Sequence, residues 1–511
     1  MRSNVRFSLQ PKRLGRYVTT ILIEQSREKT KMANGEISWK CRLGYGTGHV
    51  LNDMCASMWF TYLLLFLHKV LEFDNTYAGV ILMIGQLADG FSTVFVGIFS
   101  DSGDDYWLCL RYGTRKAWHL IGTACVVLSF PFIFSPCVGC EHSHAYAQVV
   151  YYAAFVIIFQ FGWAAGQISH LAAIPDLAHT QSERTGLTAI RYSMTVVSNI
   201  LVYLTMLGFL NGGERSADMV CPDDQPVFRN VMLVCIIVGS VATLIFHSMT
   251  KFPGGQTTEE EENESQQSHS DQNTMTVAKW FQEQQLYQIG IIYMSTRLFV
   301  NLSQAYIPLY LQVTLQLHAR YVATVPLTIF ISGFVTSFVL KKANDQFGRK
   351  TTFLIGGLIG ISGCIWTHFG ILPDDPNTKY YVYLLASLIG ISGSTMLVTS
   401  LSLTAEFIGS NTGSSAFIYG LMSLTDKVSN GLAVVLIQHL IPSSIDTCVV
   451  CQLYFRDVIF FACGGAGIIG VLAAISLFPV TVGVRSTNGT AQRNVIVNED
   501  TSEATPLLVN S

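Results

Sequence analysis

About twelve stretches of this 511-residue chain are long and apolar enough to cross a bilayer, and nothing else constrains its fold as strongly. A spanning helix needs roughly 20 mostly apolar residues, and it must satisfy its own backbone hydrogen bonds because no water is present to do so. The stretches lie near residues 43–68, 76–100, 117–137, 147–173, 187–211 and 227–249, then near 284–311, 319–340, 351–372, 379–404, 413–440 and 457–482. Only 13% of the residues are charged, about half the roughly 25% of a soluble domain. That deficit excludes a large soluble enzyme, a nucleic-acid binder and a disordered scaffold. A net charge of −3 offers no attraction to a polyanion.

Between the sixth and seventh stretches, residues 251–279 contain EEEENESQQSHSDQN and have no apolar period, so they read as a flexible linker. The expected organisation is a tail over 1–42, a six-helix half over 43–250, a linker over 251–283, a second six-helix half over 284–482 and a tail over 483–511. The one apolar run of the first tail, YVTTILI, is too short for a span, and no small-residue cleavage site follows it. With both termini in the cytoplasm, 22 basic residues face the cytoplasm and six face away, as the positive-inside rule requires.

The halves repeat a signature. After Gly97 and Asp101 comes RYGTRK, with Arg111, Arg115 and Lys116; later comes KKANDQFGRK, with Asp345, Arg349 and Lys350. A glycine near a helix end lets two helices approach, and basic residues at the cytoplasmic mouth are expected to pair with an acid across a gate. Each turn alone is an ordinary positive-inside loop. Within a six–linker–six layout, duplicate halves related by an axis along the membrane normal point to the major-facilitator fold, an all-α membrane protein with 12 transmembrane helices.

Ionisable residues inside a span cost roughly 2.5–3.5 kcal/mol each on insertion scales, so they turn inward and pair. Six lie well inside these stretches: Asp53, Asp89, Arg191, Arg297, Asp426 and Lys427, with charges that sum to zero. His49 precedes Asp53 by one turn on the same face, and Asn301 follows Arg297 by one turn. Asp426 and Lys427 are adjacent, do not share a face and need separate partners. Two roles stay open to each charge, holding the halves together or lining a cavity, and Asp53, Asp89 and Lys427 are expected in the cavity. His49, His119 and His170 suit either helix–helix hydrogen bonding or sensing of organelle acidity. A cavity of both signs suits a small zwitterion, whose ammonium needs a carboxylate and whose carboxylate needs Arg or Lys. A sugar or a lipid headgroup stays open.

At these residues the chain resembles known carriers. Asp89 to Asp101 with RYGTRKAWHLIGT, SERTGLTAIRY at 182–192, TAEF at 404–407 and the Lys427 region resemble the melibiose-carrier branch, the glycoside–pentoside–hexuronide:cation symporters of the major facilitator superfamily. HVLNDMCASMWFTYLLL, RKAWHLIGT, LSFPFIFSPC, FQFGWA, QPVFRN, MSTRLFVNLSQ and DKVSNGLAV are more similar still to the vertebrate melanosomal and lysosomal cysteine importers, in order over roughly 43–480. The resemblance implies a multi-pass protein of melanosomes and lysosomes that moves cysteine from cytosol to lumen, with consequences for pigment. It implies that Asp53 is the substrate-binding acid and Lys427 the lysine of the eleventh helix. Sodium-coupled members carry a second acid where this chain has Thr93, and another in the fourth helix where Gln167 aligns. With those carboxylates absent, the resemblance implies proton coupling or uncoupled flow, with Asp89 as a proton carrier.

Cys137, Cys140, Cys221, Cys448 and Cys451 fall in non-cytoplasmic loops. Two C-x-x-C units suit disulfides, free thiols or a zinc site, and an oxidising folding compartment favours disulfides; the connectivity is not legible. No resident metal or other cofactor is expected. In the tail EATPLLVNS, Glu503 and Leu507-Leu508 have the spacing of a dileucine address read by clathrin adaptors. Asn263, Asn301 and Asn488 lie in N-x-S/T matches in cytoplasm or membrane and are expected to carry no glycan. The expected partners are cysteine, protons and membrane lipid, with no nucleic acid and the chain a monomer. No nucleophile–base set or nucleotide loop points to an enzyme. The rival readings are a sugar or lysophospholipid symporter and a transport-inactive receptor or scaffold on the same fold.

Overall fold

A computed structural model describes residues 37–101, 107–140, 143–178, 180–212, 218–250, 277–373, 375–409, 411, 414–442 and 451–483. Among the described residues are twelve long helices and no strand. The first six are α1 (Trp39–Val70), α2 (Asn75–Asp101), α3 (Thr114–Ile133), α4 (Ala145–Leu177), α5 (Gln181–Asn211) and α6 (Gln225–Met249). The second six are α7 (Gln284–Leu309), α8 (Tyr321–Phe347), α9 (Arg349–Phe369), α10 (Thr378–Ile408), α11 (Ser415–His439) and α12 (Cys451–Ser476). Eleven are long and apolar enough to cross a membrane. The exception is α7, which Arg297, Asn301 and Gln304 make too polar by composition alone.

Helix ends run past the apolar stretches because local chemistry, not hydropathy, sets them. Ser38 caps α1 by accepting from the Cys41 N–H, so α1 starts at Trp39 inside the expected tail. Thr180 caps α5 by accepting from the Glu183 N–H, which extends that helix six residues ahead of the apolar run at 187. Glu183 in turn accepts from the Ile37 N–H at 2.8 Å, fastening the start of α5 to the start of α1. Residues 251–276, the tails 1–36 and 484–511, Cys448 and the side chain of Asp101 lie outside the described residues, so the linker, the N-terminal tail and Glu503, Leu507 and Leu508 have no structural account.

The repeat is visible in backbone geometry. α1 ends in a π-helical turn, Phe66–Val70, and α7 is followed by one, Tyr310–Thr314; each leads to a left-handed residue, Glu72 at φ 50° and Gln316 at φ 47°. Gly113 and Gly348 stand before α3 and α9 at φ 86° and 77°, a conformation that excludes most side chains. Across the halves α2 packs along α11, α5 along α8, and α1 against α7. Lipid tails are as apolar as leucine, so small residues and close backbone contact do the work that burial from water does elsewhere. A Cβ on Gly122 of α3 would stand 2.6 Å from the Gly162 carbonyl oxygen of α4.

Candidate functional site

α1 is interrupted at Gly48 and His49, and the first polar cluster gathers at that break. A Cβ on Gly48 would meet the rings of His170 and Phe246 at 2.7 Å, so only glycine lets α4 and α6 come this near. The Gly48 carbonyl accepts from His119 Nε2 at 2.8 Å. Next to it, His49 Nδ1 donates to Asp53 Oδ1 at 2.9 Å and Thr195 Oγ1 donates to Asp53 Oδ2 at 2.9 Å. Arg191 Nη2 lies 3.0 Å from His49 Nε2. Guanidinium has donors only, so Nε2 accepts and His49 is held as the neutral Nδ1–H tautomer. Arg191 Nε is buried without a partner among the described residues.

The second cluster sits where α2, α7 and α11 meet. Lys427 Nζ pairs with Asp89 Oδ2 at 2.7 Å, which ties the two halves, and it donates to Thr93 Oγ1 at 3.2 Å. Thr93 donates in turn to Asp89 Oδ1 at 3.2 Å. One residue away, Asp426 accepts from Arg297 Nε at 2.9 Å and from Asn430 Nδ2 at 2.6 Å. Asp426 and Lys427 therefore serve different partners, as adjacent helical positions must. Asn301 borders a small space with Gln86 and Asn430, while Gln167 on α4 buries an Oε1 with no partner among the described residues.

Between α5, α7, α8 and α10 lies a cavity of about 260 Å³. Its apolar wall includes Val196, Ile307, Phe330 and Leu397, and its polar groups are Tyr192, Thr195, Asn199, Ser303, Gln304 and Ser394. Thr195 thus touches the cavity on one side and the Asp53 carboxylate on the other. Of the two bases that the sequence left open as counterpart to Asp53, Lys427 pairs with Asp89, while Arg191 lies on the Asp53 side. Thr195, Asn199 and Gln304 were not singled out from the sequence. Their signal was spacing, since Thr195 and Asn199 follow Arg191 by one and two turns and Gln304 follows Arg297 by two.

The end of the molecule away from Trp39 is closed by bonds between the halves. Gln304 donates to Thr61 at 3.0 Å, His68 Nε2 lies 2.8 Å from Gln438 Oε1, and the Ala319 N–H donates to the Asp218 carbonyl at 2.8 Å. At the opposite end Arg115, Lys116, Arg349 and Lys350 each have a partner within their own half. Arg115 pairs with Asp176 at 3.4 Å and Arg349 with Glu406 at 2.6 Å, each acid closing the following antiparallel helix. Lys116 donates to the His247 carbonyl at 3.1 Å and Lys350 to the Leu477 carbonyl at 2.8 Å. Arg111 stacks over Trp107, and Asp345 borders a surface recess beside Arg349.

Cys137 and Cys140 form a disulfide, and Cys451 is disulfide-bonded. Cys221 is a free thiol, against the expectation that placed it among the disulfide candidates. Its backbone N–H donates to Asp224 Oδ2 at 3.0 Å.

The sequence model of the family described as MFS/sugar transport protein matches residues 44–445. The chain is 43% identical to major facilitator superfamily domain-containing protein 12 of Equus caballus, over 89% of this chain and 96% of that protein. Its identity to the protein of the same name from Homo sapiens is 44%, over 86% and 93%. Among solved structures, the D-xylose-proton symporter superposes with a TM-score of 0.64 at 16% identity, covering 88% of this chain and 99% of that one.

Proposed function

The chain belongs to the MFS/sugar transport protein family, and on that premise we propose that it carries cysteine from the cytosol into melanosomes and lysosomes by alternating access, linked to protons and not to sodium. The fold is that of a secondary transporter and not of an enzyme. The single observation that carries the substrate reading is the opposite-charge cluster of Asp53, His49 and Arg191 set one hydroxyl, that of Thr195, behind the wall of the cavity. Cysteine supplies an ammonium for Asp53 and a carboxylate for Arg191, whose unpartnered Nε leaves a donor to spare. Thr195, Asn199 and Gln304 offer hydrogen bonds along the cavity wall.

Asp89 is already neutralised by Lys427, and Thr93 adds a hydroxyl where sodium-coupled relatives of the resembling branch carry charge. A monovalent cation therefore finds no net negative site there. The far-end bonds between the halves support a passage open on the side of the termini, and the bias of basic residues favours the cytosol for that side. Clathrin adaptors are the proposed readers of Glu503, Leu507 and Leu508. Asp101, Arg111, Arg115, Lys116, Asp345, Arg349 and Lys350 would steady the cytosolic mouth of each half, and the chain works as a monomer.

The test is uptake of labelled cysteine into isolated organelles, with cystine, serine and melibiose as competitors and with proton and sodium gradients varied separately. Saturable cysteine uptake that survives sodium removal supports the reading; uptake blind to cysteine, or strictly dependent on sodium, overturns it. One observation favours a second reading. The cavity wall is mostly apolar, which suits a sugar ring or an acyl chain. Lysophospholipid or melibiose uptake that outcompetes cysteine would establish that rival.

A further inference from the structure

The bridge in the first cluster assigns a role to His49 that neither Asp53 nor Arg191 can fill alone. Asp53 is the carboxylate that faces this imidazole. Among the described residues, the other elements packed around it bring no acid to it: α3 brings His119, α4 His170, α5 Arg191 and Thr195, and α6 brings Phe246 with His247 behind His119. α7 packs against α1 as well, but its Arg297 is spent on Asp426. His49 Nδ1 points at Asp53 Oδ1 and its Nε2 lone pair is covered by Arg191 Nη2. The other Asp53 oxygen reaches the cavity through Thr195.

A proton can enter this arrangement at His49 Nε2. When it does, an N–H faces an N–H of Arg191, the bond between them is lost, and the imidazolium pairs with Asp53 through Nδ1. The carboxylate is then neutralised on the spot. An ammonium arriving at Oδ2 would be a third cation, after the imidazolium and Arg191, against two carboxylates, that of Asp53 and the cargo's own. We propose that Asp53 holds one cation at a time, the imidazolium of His49 or the ammonium of the cargo, so that proton and cargo exclude each other. This rests on the reading of the cargo as a zwitterion. It makes the carrier an exchanger: the loaded form crosses with His49 neutral, acid on the receiving side protonates Nε2 and releases the cargo, and the empty form returns the proton. An acid compartment then accumulates cargo.

The experiment measures labelled-cysteine affinity of purified full-length protein between about pH 7.5 and about pH 5.5, where the carboxylate and ammonium of cysteine keep their charges. For one linked proton the expected Kd rises on acidification by up to about tenfold per pH unit. His49→Gln keeps an acceptor for Arg191, and His49→Asn keeps a donor for Asp53; both should give a flat profile. Binding should also release a proton from the wild-type protein in weakly buffered solution at the acid end. A wild-type affinity that is flat or tightens in acid, an absence of proton release, or variants that keep the wild-type slope each overturn the proposal. Folded variants that bind at no pH overturn it too, because His49 would then belong to the cargo surface. If wild-type protein binds no cysteine, the substrate reading falls by itself. The proposal is then read without cargo: a gap between the unfolding-temperature profiles of wild type and His49→Gln that changes with pH supports it, and parallel profiles overturn it.

Discussion

Asp53 of α1 and Arg297 of α7 occupy matching places in the two halves, the same distance apart in sequence as the left-handed residues Glu72 and Gln316, yet they carry opposite charges. The N-terminal half sets an acid on α1 against a base on α5; the C-terminal half sets a base on α7 against an acid on α11. In the second the contact is direct, 2.9 Å from Arg297 Nε to Asp426 Oδ2, and Asn430 occupies the other oxygen. In the first an imidazole stands between acid and base, and Arg191 Nε has no partner among the described residues. A direct pair whose acid is bonded at both oxygens is a fastening. A bridged pair with a spare donor can change partners at little cost, which is what a binding site requires.

The comparison breaks most visibly at Arg297. Arg297→Met leaves Asp426 buried and unpaired, and the expected loss is about 3–5 kcal/mol of stability, seen as a lower unfolding temperature in detergent. The double variant Arg297→Met with Asp426→Leu should recover to within about 1 kcal/mol of wild type and keep part of its transport, because a buried pair can be exchanged for apolar packing. Recovery of stability without any transport would mean that the C-terminal pair binds cargo as well, and the contrast between the halves would be lost.

Asp53→Asn should behave in the opposite way. The amide fits the same space and His49 can rotate to meet it, so stability should change by no more than about 1 kcal/mol. Uptake should fall by a factor of about 100 or more, equivalent to about 2.7 kcal/mol of cargo or transition-state stabilisation. Wild-type uptake by Asp53→Asn, measured beside an unchanged unfolding temperature, would remove the acid from the proposed binding site.

How much of this was legible before the structure follows from what each signal depends on. Twelve helices were readable because an apolar run is a one-dimensional property, and α7 was readable although its interior is too polar to satisfy a composition threshold. The start of α1 at Trp39 was not, because a Ser38 cap and not hydropathy sets it. The six charges stood out against their apolar surroundings. Their pairing did not, because it depends on the rotation and tilt of helices: nothing in the local sequence sends Lys427 to Asp89 instead of Asp53. Thr195, Asn199 and Gln304 stayed hidden for a different reason. Hydroxyls and amides inside spans commonly bond their own helix, as Thr195 does to the Arg191 carbonyl, so their presence alone carries no signal.

Where the halves meet, Gln304→Ala sharpens the contrast between fastening and gate. The bond from Gln304 Nε2 to Thr61 Oγ1 crosses the halves at the closed end. Its removal should cost about 0.5–1.5 kcal/mol of that closure, enough to raise the population open at the far end by about two- to tenfold. Distances between spin labels on the far-end loops would report it, and an unchanged distribution would mean that His68–Gln438 and the Ala319–Asp218 bond hold the closure without help.

The smallest effects belong to the repeated basic signature, and they test whether the halves are equal there. Arg349 and Glu406 are 2.6 Å apart with side chains 45% and 37% exposed, while Arg115 and Asp176 are 3.4 Å apart at 24% and 41%. Exposed pairs of this kind contribute about 0–1 kcal/mol and are screened by salt. Arg349→Gln should therefore lower stability by about 0.5 kcal/mol in dilute buffer and by almost nothing in about 1 M salt. Arg115 also donates to the Ser100 carbonyl at 3.4 Å, a contact to a neutral acceptor that salt does not screen. Arg115→Gln should then show a small cost that persists at high salt. If both variants lose their cost equally in salt, the end of α2 contributes nothing to holding Arg115, and the two mouths are equivalent despite the different pairs at their centre.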